Sequence, residues 1–167
     1  VKSLCQKYDK DYTIMQEWYD GYTVGGVHVY NPKSVMESIL RDKYSSYWTK
    51  TETYEALRNY IDMNFDGLKD TVVDMLGGEK CEVDTGSFQN DMTSMKSRDD
   101  VLTLLIHLGY LAYDEDTRCV SIPNVEIRGE FIRAIKNGIS PNRKHLIRYW
   151  IKSIQVYSKV IRETFCW

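Results

Sequence analysis

Apolar residues recur at helical spacing along most of this chain, and short alternating stretches interrupt them in only a few places. Residues 1–19 read as helix, with Leu4, Tyr8, Tyr12 (or Met15) and Trp18-Tyr19 on one side. Glycines at 21, 25 and 26 then break the pattern, and Asp20-Gly21 is a turn dipeptide. Asn31-Pro32 opens a new helix, because Asn is a good N-cap and Pro suits the first helical position. That helix carries Val35, Met36, Ile39 and Leu40 on one face and runs to about Lys43. The block 18–35 therefore reads as helix end, glycine-rich turn, helix start. Residues 44–49 form an aromatic connector.

Thr51 or Thr53 is positioned to cap the next helix, in which Leu57, Tyr60, Ile61 and Phe65 recur. Asp66-Gly67 restarts a helix with Leu68, Val72, Val73, Met75 and Leu76, and Gly77-Gly78 ends it. Residues 80–84 alternate like a short strand, and 87–95 read as a loop or short helix. Ser97 to Asp100 matches a capping box with Asp in place of Glu, and the helix beyond stops at Gly109. Residues 110–113 and 118–122 read as two strands joined by the turn 114–117. Asn124 caps a helix with Ile127, Phe131, Ile132 and Ile135 that ends at Asn137-Gly138. Pro141 opens a last helix with Leu146, Tyr149, Trp150, Ile154 and Tyr157. The predicted fold is mainly α with a small β component. A helical lid segment with the glycine-rich turn covers 1–50, a winged-helix-like domain with one β-hairpin covers 51–138, and a C-terminal helical linker covers 139–167.

Composition narrows the class. The chain has 167 residues, 43% apolar and 28% charged, which suits a globular protein of one domain or two small ones. The formal net charge of −2 lacks the basic surplus of a general nucleic-acid binder. Cysteines 5, 81, 119 and 166 and histidines 28, 107 and 145 are scattered without zinc-site spacing. Reduced structural thiols and a cytoplasmic location follow as the expectation. No apolar run approaches the roughly 18 residues of a membrane span.

Little of the chain points to chemistry. A P-loop needs Gly-x-x-x-x-Gly-Lys-(Ser/Thr), and Gly77-Gly78-Glu79-Lys80 lacks both the upstream Gly and the hydroxyl residue. The acidic clusters Asp99-Asp100 and 114–116 read as a helix N-terminus and a solvated turn rather than metal ligands. No catalytic or metal-binding residue is predicted. The helix after Asp99 is acidic at its start and otherwise apolar, so it reads as a core or protein-contact helix rather than a DNA-reading one. Lys144, Arg148 and Lys152 share a helix face at i, i+4 spacing. A solvated face is the simpler reading of these three, and a nucleic-acid backbone contact is the alternative.

Three stretches carry a family resemblance. Trp18, Tyr19, Asp20, Gly21 and Tyr22, with Gly25-Gly26 and 29–35 following, form the first. Residues 100–111, a helix ending in Gly109-Tyr110-Leu111, form the second. The third is 122–128, Ile-Pro-Asn-Val-Glu-Ile-Arg. In this order and spacing they resemble the bacterial AAA-ATPase-like proteins, over about 18 to 136. The resemblance implies a longer parent protein, with a P-loop ATPase core before this region and often a nuclease-like domain of the PD-(D/E)XK superfamily after it. ATP and magnesium are implied for that parent, and no cofactor for this chain. By analogy with winged-helix lids of related ATPases, Tyr30, Asn31 and Pro32 would line the adenine side of the parent's nucleotide site. The expected function is a non-catalytic lid of a larger ATPase, of which this chain is a fragment. It would couple nucleotide state to an effector, with the P-loop core and the nuclease-like domain as its partners. A stand-alone winged-helix adaptor binding protein or DNA is the alternative.

Overall fold

The start of the chain shows how local caps divide a long apolar pattern. The computed structural model describes residues 1–48, 52–86, 88, 95 and 97–138. The single helix expected over 1–19 is two, α1 (Lys2–Lys7) and α2 (Tyr12–Tyr19). Asp9 takes a positive φ of 51°, and the Asp11 carboxylate accepts hydrogen bonds from the Thr13 and Ile14 amides. Asp11 thus supplies a fresh N-cap and ends the first helix's register. The two helices pack together and against α3 (Pro32–Leu40). Between them lie buried Cys5, Met15, Tyr19 and Val35, with Tyr12, Trp18, Tyr30, Ile39, Tyr44 and Tyr47 around this cluster.

Between α2 and α3 the glycine-rich block is more than a turn. Residues Tyr22–Val24 (β1) and Val27–Val29 (β2) form an antiparallel hairpin, with Val24 opposite Val27 and Tyr22 opposite Val29. Gly25 and Gly26 both have positive φ and make the two-residue loop that a right-twisted hairpin requires. The described residues therefore hold two hairpins where the sequence predicts one.

From residue 52 the order agrees with the periodicity. Helix α4 (Glu52–Met63) is followed by a 3-10 turn (Phe65–Gly67) and α5 (Leu68–Leu76). Strand β3 (Cys81–Glu82) then leads toward α6 (Arg98–His107), β4 (Ala112–Asp114), β5 (Cys119–Ser121) and α7 (Val125–Gly138). The predicted capping box is present: the Asp100 amide donates to Ser97 Oγ at 3.2 Å and the Ser97 amide to Asp100 Oδ2 at 3.1 Å. Strands β3, β5 and β4 make one antiparallel sheet in that order, so β5 is central. Helix α6 buries Val101, Leu102, Thr103, Leu104 and Leu105 in succession, which makes it an all-round core helix. Leu57, Ile61, Leu68, Val72, Met75, Val120, Ile127 and Phe131 are buried as well.

The fold is mainly α with a small β component, and Val1–Ile135 form one compact unit. No helix among the described residues is long and apolar enough to cross a membrane. The Thr51 cap, the short helix at 87–95 apart from Phe88 and Met95, and the C-terminal segment 139–167 with Lys144, Arg148 and Lys152 lie outside the described residues.

Candidate functional site

The three sequence stretches singled out above meet around the base of the β1–β2 hairpin. Gly21 has φ of 112°, and a Cβ built on it would lie 2.0 Å from the Pro123 carbonyl oxygen. Only glycine allows this approach of two backbones. Next to it, the Asp20 carbonyl accepts from Asn124 Nδ2 at 2.8 Å, while Asn124 Oδ1 accepts from the Ile127 amide and caps α7. One asparagine thus starts a helix and pins a distant turn. The Tyr22 hydroxyl donates to the Gly109 carbonyl at 2.6 Å, and burial pushes the phenol far above its usual range. Gly109 itself, at φ of 77°, leaves room for the Trp48 ring, 3.3 Å from where its Cβ would stand.

From this anchored base the hairpin projects outward. Side chains alternate across a strand, so Tyr22, Val24, Val27 and Val29 share one face and Thr23 and His28 the other. Val24, Val27 and Val29 are 68%, 64% and 41% exposed. The apolar face that begins with half-buried Tyr22 therefore continues uncovered to the tip. On the opposite face His28 Nδ1 lies 3.2 Å from Oδ2 of the buried Asp20, whose Oδ1 accepts from the Gly21 amide.

Trp18 and Tyr19 work further inside. The Tyr19 hydroxyl donates to the Ser45 carbonyl at 2.9 Å and accepts from the Ser45 amide at 3.0 Å. Burial, against the help of that backbone contact, pushes its pKa up to about 12. Trp18 lies against Tyr19 with ring centroids 6.0 Å apart.

Tyr30, Asn31 and Pro32 follow the hairpin directly, and their polar groups are engaged within the fold. Tyr30 and Tyr12 hydroxyls are 3.2 Å apart, and burial with that contact raises the Tyr30 pKa. Asn31 Oδ1 caps α3 by accepting from the Lys33 and Ser34 amides, and the Asn31 amide donates to the Tyr19 carbonyl. Pro32 stands in the first turn of α3, as predicted.

An open cleft of about 540 Å³ separates the hairpin from the β4–β5 turn, lined by Thr23, Val24, Lys80, Asp114, Glu115 and Asp116 among others. Asp114 Oδ1 accepts from the Asp116 and Thr117 amides, and these turn bonds, led by the Thr117 side chain, hold its pKa below the usual carboxylate range. That is the turn role read from the sequence. Among the described residues no group of three or more His, Cys, Asp or Glu converges as a metal site. No family model, curated protein or solved structure matches the chain.

No buried role is predicted from the sequence for two glutamates, Glu126 of the third stretch and Glu130 beyond it. Glu126 and Glu130, one turn apart on α7, are 1% and 0% exposed. Glu126 Oε1 accepts from Ser34 Oγ at 2.9 Å and the Tyr47 amide at 2.7 Å. Glu130 Oε1 accepts from Ser46 Oγ at 2.6 Å and from Arg133. Burial raises the pKa of both, and Glu130 adds to the rise at Glu126. The available signal is their place beside Ile127, Phe131 and Ala134 on the apolar stripe.

Proposed function

We propose that this chain is a non-catalytic interaction region, the lid of an AAA-ATPase-like protein. In this reading a P-loop core elsewhere in the polypeptide binds ATP and magnesium, and the β1–β2 hairpin is the surface that meets it. One observation carries the proposal. A hairpin anchored at its base by contacts to residues 109, 123 and 124 presents three exposed valines on one face. Fixed apolar surface of this kind marks a contact with another protein part. The residues that anchor it are those through which the chain resembles that family. Tyr30, Asn31 and Pro32 stand at the exit of the hairpin, so a nucleotide contact there would pass through a short and well-packed element. Closure over nucleotide would require the hairpin to bind one nucleotide state of the core better than the other, and a nuclease-like domain would receive the result.

The adaptor reading draws on the helix–strand–helix–hairpin order of α5 to β5. Because α6 is buried all round, an adaptor of this fold would bind protein by another surface.

The test uses the native polypeptide isolated from source cells with an antibody to this chain. Its size should be several times 19.6 kDa. A non-hydrolysable ATP analogue should slow proteolysis within 22–29, and Val24→Asp with Val27→Asp should abolish that protection while nucleotide still binds. A native band at 19.6 kDa, or protection that ignores both substitutions, would sink the lid reading. Pro32→Gly tests the adjacent nucleotide contact: unchanged affinity in a folded protein removes Tyr30, Asn31 and Pro32 from the site.

A further inference from the structure

The connector after α3 is held to α7 by an unusual pair of seats. Its consecutive residues Ser46 and Tyr47 hang from Glu130 and Glu126 respectively, and Ser34 of α3 shares the Glu126 oxygen. The second oxygen of each glutamate is buried without a hydrogen-bond partner among the described residues. A buried carboxylate left half-paired costs free energy when ionised, and two on adjacent turns of one helix repel each other as well. The surrounding groups offer little relief. Tyr19 of α2, Tyr22 of β1 and Tyr47 of the connector face Glu126, and none of them carries a positive charge; the backbone of Tyr47 and Trp48 and the Ser34 hydroxyl offset its burial only in part. Arg133 serves Glu130 from the half-exposed side of α7.

We propose that residues 44–48 form a strap whose seating on α7 depends on the combined charge of Glu126 and Glu130. The strap is closed while the pair retains a proton and loosens when both carboxyls are ionised. The protonated state suits the fold for a simple reason. It keeps an acceptor oxygen for the Tyr47 amide and for Ser46 Oγ, and it removes the charge that burial disfavours. When both ionise, the least costly response is to admit water, and the strap residues 46 and 47 are bonded directly to the pair. Tyr19 and the Trp48–Tyr110 edge contact, with centroids 5.7 Å apart, hold the strap's two sides, so opening is confined to 46–47.

Amide exchange followed by NMR on the 167-residue chain reads this directly. The protection of the Tyr47 amide, corrected for its intrinsic exchange rate, is divided by that of the Leu105 amide in the core of α6. Between pH 5 and pH 8 the ratio should fall, because burial holds both carboxyls above the ordinary glutamate range. Glu126→Gln keeps an acceptor for Tyr47 and cannot ionise, so its ratio should stay flat. Glu130→Gln should flatten it as well, and keeps the test open if the first variant does not fold. A ratio independent of pH in the unmodified chain, or an unchanged slope in either folded variant, overturns the proposal.

Discussion

Gly21 and Asn124 show how much of this fold rests on single side chains, or on the lack of one. Gly21→Ala would drive a Cβ into the Pro123 carbonyl at a positive φ. Its expected cost is about 2–4 kcal/mol, within the range for strain and overpacking combined. Gly25→Ala, with nothing near its Cβ, should cost about 1 kcal/mol from backbone strain alone. Urea unfolding of the two variants separates a close approach from a turn. Asn124→Ala loses a helix cap and the bond to the Asp20 carbonyl, and should cost about 2–3 kcal/mol in the same experiment. The caps were legible because their signals are local: Asn31 with Pro32, Ser97 with Asp100, and Asn124 lie within a few residues of what they bind. The Gly21–Pro123 approach was not, since nothing near Gly21 announces a partner a hundred residues away. Glu126 and Glu130 were hidden for the opposite reason. A glutamate in a helix ordinarily reads as solvent-facing, and only the third dimension shows Ser34, Ser46 and the Tyr47 amide waiting for it.

Among elements, the helices from 52 onward follow their apolar periodicity, and α6 ends where Gly109 says it should. The hairpin β1–β2 is the instructive difference. Its pattern, Tyr22, Val24, Val27 and Val29 around Gly25-Gly26, carries the alternation and two-residue loop of a hairpin. Flanking helices make the same glycines look like mere breakers, and both readings rest on the same residues. The structure chooses the hairpin because Tyr22 reaches Gly109 and fixes β1 in an extended course. Since the valine face is exposed, Val24→Asp with Val27→Asp should alter stability by less than about 0.5 kcal/mol. Leu105→Ala in α6 should cost about 2–5 kcal/mol. Thermal unfolding of both variants checks whether the hairpin is surface and α6 is core.

For the whole molecule, the buried acids and phenols set how stability responds to pH. Glu126 and Glu130 have folded pKa values above their unfolded ones, so their contribution is fully present below the ordinary glutamate range. It is lost as pH rises through the raised values. Tyr19 behaves likewise at the alkaline end, where stability should fall between about pH 10 and its raised pKa of about 12. Urea midpoints across pH 4–8 should therefore include a declining component that Glu126→Gln removes. A slope identical in that variant would show the carboxyl to be unperturbed.

The anchoring of the hairpin also has a consequence in time. During synthesis residues 22–29 leave the ribosome well before Gly109, Pro123 and Asn124 exist. At the roughly 5–20 residues per second of translation, the wait is on the order of 5–20 s. Over that interval the valine face has no fixed base and the nascent chain shows a glycine-hinged apolar loop to its surroundings. A ribosome stalled before residue 109 should leave this loop open to protease and to chaperone capture, and one stalled far enough beyond 124 for that residue to clear the exit tunnel should not.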